Sequence, residues 1–553
     1  MIGTRRTFRI VNTLLPLLTM ASAAAFAQTA PPPLSYQVLQ QLQNNPTALN
    51  ELLNQPAAPQ AAPAPAGTIS SASATGTWTA VTNLGGVSLS NPLLLTDGTV
   101  IVHNQQARDW WKLTPDVNGN YATGTWSKFA MLPSGYGPLY FGSEVLPDGR
   151  VVTNGGEYNL GVANDTNLGA IYYPSFGAWT SVTPPSFMAN IGDSPSVVLD
   201  DGTYLLGDCC AFNPPQAGLF NATPPFTSVN WTLTGTDKAN GSFNEEGWTV
   251  LPSGNVIAVD VAVYSGQTSE IYSPVTGDWS TGGATGAQLS TCITGVISAC
   301  EMGPEVLRPD GTMVAFGGVN EGADPIAIYN STASTWSAGP NVPSVAGVPY
   351  TLADAGAAIE PNGTVLFAAS PSNWATSSSY PSPVQFFEIS STNVVSTTAN
   401  TPNAGTDRSY YINLLVLPNG QIFQTDFSTQ AQVYTPVGSA NPAWAPVIDT
   451  SPTDVSRAYT YQLAGTQFNG LTHGAAYGDD VQANTNYPIV QIVNNSTGHV
   501  FYERTSGFNT MSVAPNTSSS TNFTVSGLTE TGPSTLYVIA NGISSTGVTV
   551  TVH

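Results

Sequence analysis

The sequence predicts an all-β protein, a seven-bladed β-propeller followed by a small immunoglobulin-like β-sandwich. Three observations carry this reading. A short phrase with a turn glycine recurs seven times at near-constant spacing. A second phrase, ending in tryptophan, follows most of its copies. Both stop near residue 450, where shorter alternating runs take over.

The turn phrase reads VLPDGRVV at 145–152, VLPSGNVI at 250–257, LRPDGTMV at 307–314, EPNGTVLF at 360–367 and VLPNGQIF at 416–423. Looser copies are LLTDGTVIV at 94–102 and VLDDGTYLL at 198–206. The turn glycines are Gly98, Gly149, Gly202, Gly254, Gly311, Gly363 and Gly420, with gaps of 51 to 57 residues. Asp-Gly or Asn-Gly between apolar runs marks a hairpin, because the tight turn needs a positive φ that glycine adopts without steric cost. A period of about 50 residues is that of kelch-type propeller blades, each built from four strands.

The second phrase reads AIYYPSFGAWTSV at 170–182, EIYSPVTGDWSTG at 270–282 and AIYNSTASTWSAG at 327–339. Its tryptophans are Trp126, Trp179, Trp231, Trp279, Trp336 and Trp444, while the sixth repeat has NVVSTT in that place. They are expected to pack between blades. Trp78, in TGTWTAV, is surplus to this count. It is expected to mark an N-terminal strand that closes the ring against the seventh blade and so removes a free sheet edge.

The propeller is therefore placed at 75–450 and the sandwich at 451–553. Runs such as YPIVQIV at 487–493, GHVFYER at 498–504, TNFTVSG at 521–527 and STLYVIAN at 534–541 have the short strands and turn signals of such a sandwich.

Upstream, residues 1–27 read as an export signal. Arg5, Arg6 and Arg9 precede an apolar run from Ile10 to Ala25, and Ala25-Phe26-Ala27 offers a cleavage site before Gln28. Thr4-Arg5-Arg6-Thr7-Phe8 also resembles a twin-arginine signal, and the sequence leaves the two export routes open. Residues 28–74 form a Pro/Ala/Gln-rich linker, in which PAAPQAAPAPAG at 56–67 is an extended spacer. The expected location is the periplasm or the extracellular space. No later apolar run is long enough to span a membrane.

The chain holds 12 basic and 34 acidic residues, a net charge of −22. Loss of the three signal arginines leaves 9 against 34, or −25. Such a surface repels a phosphate backbone, which excludes nucleic acid as a partner. Cations and neutral polar ligands are compatible with it. The four cysteines, Cys209, Cys210, Cys292 and Cys300, suggest disulfides in an exported protein. Cys292 with Cys300 would close a short loop and leave Cys209-Cys210 as a vicinal pair, or the two regions cross-pair. Spacing leaves both open, and it leaves the oligomeric state open too.

An export signal, seven kelch-like blades and a C-terminal sandwich together resemble the galactose oxidase and glyoxal oxidase family over about residues 76–553. RSYYINLLVLPNGQIF at 408–423 and GTQFNGLTHGAAYGDDVQANTNYPIVQI at 465–492 carry the resemblance most strongly. It implies one copper held by two tyrosines and two histidines, with one tyrosine cross-linked to a cysteine. Several ligands of that family stand nine or ten residues before the turn glycine. Tyr140 falls where the family has its cross-linked tyrosine, and Tyr410 where it has the axial one. The rest departs: Ser88-Leu89-Ser90 holds no cysteine, Tyr411 replaces a histidine, and 504–515 supplies no second histidine. The chain has only His103, His473, His499 and the terminal His553, and His473 and His499 read as surface or core residues of the sandwich. Copper(II) favours imidazole nitrogen, so radical-copper oxidation is not expected.

Counting nine residues back from each turn glycine also gives Asp193, Glu245 and Asp354. At the mouth of a central channel these acids would meet Tyr140, Tyr410 and Tyr411, with Glu246, Glu301 and Glu305 near in sequence. Clustered carboxylates raise one another's pKa and can hold a hard cation such as calcium, for which Asp193, Glu245 and Asp354 are the candidates. Aromatics beside acids also suit sugar rings. No G-x-S-x-G, phosphate-loop or His-Glu-x-x-His pattern appears. The leading expectation is a non-catalytic protein that binds a carbohydrate or other polyhydroxyl ligand at the mouth. The alternatives are a copper-dependent oxidase with a rearranged site and a scaffold that recognises another protein through blade loops.

Overall fold

The computed structural model describes residues 75–209, 216–222, 230–235, 243–261, 266–291, 301–319, 321–372, 381–473, 476–477, 481–482 and 484–553. The export signal, the linker and three of the cysteines (Cys210, Cys292 and Cys300) lie outside the described residues, and so does any test of their pairing. Cys209 is buried and disulfide-bonded.

Each turn phrase folds as the sequence predicts. Its glycine has a φ between 73° and 85° in all seven copies, and it joins an inner strand to the next strand out. The inner strands are Leu89–Leu94, Gly142–Val145, Ser196–Val198, Trp248–Val250, Glu305–Leu307, Ala357–Ile359 and Asn413–Val416. They are almost wholly buried, as strands packed on both faces must be. Every inner strand heads an antiparallel sheet, and these seven sheets are the blades.

The tryptophan phrase forms the two outer strands of a blade. Tyr172 faces Trp179, Tyr272 faces Trp279 and Tyr329 faces Trp336 in register. Three of the indole N–H groups tie a blade to its predecessor: Trp126 donates to Thr82 O at 2.6 Å, Trp231 to Thr183 O at 2.9 Å and Trp336 to Ser269 Oγ at 2.8 Å.

The seventh blade takes its outer strand from the other end of the chain. Thr77–Ala80 pairs antiparallel with Gln432–Thr435, and Trp78 faces Tyr434. This closes the ring as expected, and it also corrects the tryptophan count. Trp78 is the closing tryptophan of the seventh blade, whereas Trp444 lies beyond it in the 3₁₀ turn Pro442–Trp444.

The second blade departs from the repeat. Tyr158–Asn159 and Val162–Ala163 are inserted between its second and third strands and form a small sheet with Pro138–Leu139, which lies just before its first strand. Glu157 N donates to Tyr140 O at 3.1 Å, and Gly156 N to Gly192 O at 2.7 Å. These bonds fix the insertion over the strand starts of blades two and three.

From Val447 the chain forms a continuous sheet that folds over its own core. Strand Val500–Ser506 joins the halves, pairing with Ile489–Asn494 through its first part and with Ser518–Thr524 through its last. Leu463 and Phe523 from one half meet Val490, Ile492, Leu536, Val538 and Val550 from the other in one buried cluster.

This sandwich sits against the turn end of the propeller. Thr96 Oγ1 donates to Thr505 O at 2.8 Å, Phe508 N to Pro147 O at 3.0 Å and Met511 N to Asp200 O at 2.9 Å. The Tyr502 ring occupies the space that a side chain on Gly98 would need. Residues 504–515, where the resemblance implies a ligand loop, therefore dock beneath blades one to three. A different sandwich segment approaches the inner strands. His473 bridges to Leu307, and Asn484 Nδ2 donates to buried Glu144 Oε1 at 2.7 Å. With the turn end covered, the strand starts form the open mouth.

Candidate functional site

Position nine before the turn glycine is a conformational outlier in three blades. Tyr140, Glu245 and Asp354 have φ of 54°, 59° and 48°. A left-handed backbone at a non-glycine residue costs about 1–3 kcal/mol and clusters at functional sites. Each kink falls two or three residues before its inner strand begins.

The expected site residues separate into two neighbouring groups. Tyr140, Tyr410 and Tyr411 line one open cavity of about 570 Å³, together with Tyr158, Gln105, Thr406, Asp407, Asp426 and Phe427. Tyr410 and Tyr411 ride on the 3₁₀ turn Ser409–Tyr411, which Ser409 Oγ anchors by donating to Ala353 O at 2.8 Å. The Tyr140 and Tyr158 rings meet edge-on at 6.2 Å. The Tyr410 and Tyr411 rings meet at 4.6 Å, and Tyr411 leans on Phe427 at 5.2 Å. All four tyrosines are half-buried, so each keeps part of its ring for a ligand.

Asp407 and Asp426 are in hydrogen-bonding contact in this cavity. Burial, and then the charge of Asp426, push Asp407 up to about 7. Asn403 Nδ2 donates to Asp426 Oδ2 at 3.0 Å.

The acids form the second group, and it is arranged differently from the expectation. Glu245 and Asp354 come together with Glu301, their ligand atoms all within 4.8 Å of one another. Asp193 stands instead with Asp165 and Cys209. It is buried, with Oδ1 lacking a hydrogen-bond partner. Burial raises its pKa, and the charges of Glu245, Glu157 and Asp165 raise it further. Glu157 is pushed up to about 8 by burial and by Glu245, Asp165 and Asp354. It thus holds its proton at neutral pH and can donate a hydrogen bond. Glu157 also joins the two groups, since its charge is the first cause of the raised pKa of Tyr158.

Glu157, Tyr158, Asp165, Asp407 and Asp426 were missed by counting along the repeat. The first three ride on the blade-two insertion, for which the only cue was EYNLGVAND, a turn glycine in a stretch that the other blades lack. Asp426 had a clearer signal. It stands six residues after its turn glycine, as do Asp208 and Asp260, and marks a second phase of the same repeat.

Copper is a poor match for these donors. No histidine or cysteine is among the residues lining the tyrosine cavity. His103 is buried between Ser90 Oγ and Ala107 O, and burial lowers its pKa to about 4. His473 is buried beside Leu307, and burial lowers its pKa to about 3. His499 pairs with Glu530 at 2.7 Å and His553 with Asp454 at 3.1 Å.

No protein-family model matches the chain, and no curated protein matches it in sequence. Among solved structures it is similar to a fungal alcohol oxidase of the AA5 family in complex with copper, at 14% identity over 86% of this chain and 99% of that one, with a TM-score of 0.49. It is also similar to YjhT, at 11% identity over 64% of this chain and 95% of that one, with a TM-score of 0.34. A third is the extracellular domain of the hybrid two component system BT3049 from B. thetaiotaomicron, at 10% identity over 86% of this chain and 57% of that one, with a TM-score of 0.42. These likenesses concern overall fold and say nothing about the chemistry of this chain. The propeller itself rests on the strand order above.

Proposed function

We propose that this is an exported binding protein that holds a carbohydrate or similar polyhydroxyl ligand at the propeller mouth. One observation carries the reading: Tyr140, Tyr158, Tyr410 and Tyr411 share a cavity with the Asp407–Asp426 pair. A sugar presents apolar C–H faces and a rim of hydroxyls. Half-buried aromatic rings cover the faces at low entropy cost, and carboxylates accept from the hydroxyls. A cavity of this size with a few convergent polar groups is an ordinary small-ligand site. The signal-like N-terminus and the disulfide at Cys209 support export.

The acid pair favours binding over glycoside hydrolysis. Hydrolases hold their two carboxyls about 5–5.5 Å or 6.5–9.5 Å apart around the scissile bond. Asp407 and Asp426 act directly on each other and do not stand apart on either side of a bond to be cut.

The test is a glycan array probed with the full mature chain, followed by calorimetry on the hits. Binding is expected to survive Tyr410→Phe and to be lost in Tyr410→Ala with Tyr158→Ala. An array without hits, or hits unaffected by the double alanine variant, would overturn the reading.

A further inference from the structure

The trio Glu245, Glu301 and Asp354 has no role in the carbohydrate reading, since none of the three lines the tyrosine cavity. It brings one carboxylate from each of blades four, five and six to a single point. The charges that act on Glu301 are those of Asp354 and Glu245, both of its own sign. Both carboxyls also lie within hydrogen-bonding reach of Glu301, and three like charges this close repel one another strongly unless protons or a metal cation lie between them.

A second observation points to what that is. Glu301 is only 7% exposed, and its Oε2 has no hydrogen-bond partner. A buried carboxylate oxygen without a donor loses its hydration for nothing, at a cost of about 1–3 kcal/mol or more. Proteins avoid that arrangement unless a ligand completes it. The neighbouring trio of Asp165, Asp193 and Cys209 is not comparable, because the Cys209 sulfur is held in a disulfide and is no thiolate donor.

We propose that Glu245, Glu301 and Asp354 form a binding site for a hard divalent metal cation such as calcium. The donors are all carboxylate oxygens, which select hard cations over copper or zinc. Their ligand atoms all lie within 4.8 Å of one another, close enough for one cation to touch all three. Two of the three residues have the left-handed backbone noted above, so the chain accepts strain in aiming these groups. The cation would brace three blades at the mouth, beside the tyrosine cavity and independent of its ligand.

The experiment is calorimetric titration of the chelator-treated full mature chain with calcium chloride, and separately with magnesium chloride. The wild type is expected to show saturable calcium binding that Glu301→Gln weakens by at least about tenfold, because affinity in such sites follows the count of charged ligands. The metal-free Glu301→Gln protein should melt no lower than the metal-free wild type, since a repelled charge has been removed. If that variant fails to fold, Asp354→Asn is read in the same way. Absence of saturable binding of either cation, or binding that both substitutions leave unchanged, would overturn the proposal.

Discussion

Trp78 and Tyr434 lie ring to ring at 4.9 Å across the seam of the propeller, 356 positions apart in the chain. Within the fourth blade Tyr272 and Trp279 make the equivalent pair at 5.4 Å, seven positions apart. The same packing unit is thus built once from the two ends of the domain. Trp78 Nε1 donates to Ala399 O at 2.7 Å, as Trp126, Trp231 and Trp336 bond to the blade before theirs.

This seam sets the first prediction. Trp78→Ala removes the pair with Tyr434, the edge contact with Phe386 at 5.0 Å and the bond to Ala399. Large-to-small changes of this kind cost about 3–5 kcal/mol when fully buried, and Trp78 is partly exposed, so a loss of about 2–3 kcal/mol is expected. Trp444→Ala, which lies outside the ring, should cost clearly less. Urea unfolding of the two variants measures the difference, and equal losses would contradict the assignment of Trp78 as the closing residue.

The seam also sets a dependence on pH. Glu360 is 2% exposed, has Oε1 without a partner, and is pushed up to about 8 by burial and by Glu388. Asp324, buried in the neighbouring blade, is raised to about 8 as well. With unfolded values near 4, the folded state binds more protons than the unfolded state between about pH 4 and pH 8. Stability therefore falls as pH rises through that window and levels off above it. Glu360→Gln imitates the protonated form. It should leave stability at about pH 5 unchanged and raise it at about pH 9 by up to a few kcal/mol. Thermal melts of both proteins across this range give the answer, and a gap that does not widen with pH would contradict it.

The fold was legible because it is repetitive. Seven turn glycines at one spacing leave few architectures to choose from, and each needs only local chemistry to form its hairpin. What the repeat did not reveal lies where the chain departs from it. Trp444 has the right residue type near the right place, yet the strand it would need is supplied by Thr77–Ala80 from the far end of the chain. Tyr140, Glu245 and Asp354 were found because their position follows the turn glycine in phase. Glu301 stands one residue out of phase with them, ten before Gly311, and replaces Asp193 in the trio. Glu157 and Tyr158 ride on an insertion with no counterpart in other blades. The segment near the inner strands was also misplaced, since 504–515 and the stretch around His473 and Asn484 both look like loops between strands. Only tertiary pairing with Leu307 and Glu144 tells them apart.

The last prediction concerns the acid pair in the tyrosine cavity. Asp407 titrates at about 7, raised by burial and by Asp426. Below that value the pair shares a proton and offers fewer free lone pairs to a ligand. Above it Asp407 is an acceptor only, and hydrogen bonds from hydroxyls to a carboxylate are roughly twice as strong as those to a neutral group. Affinity for a polyhydroxyl ligand should therefore rise as pH passes through about 7. Asp407→Asn fixes a neutral group at this point and cannot ionise. Its affinity should match the low-pH wild type and stay flat across the same range. Calorimetry at three pH values on both proteins, with whichever glycan the array identifies, makes the comparison. A rise that persists in Asp407→Asn would move its origin to another group, with Glu157 at about 8 the next to substitute.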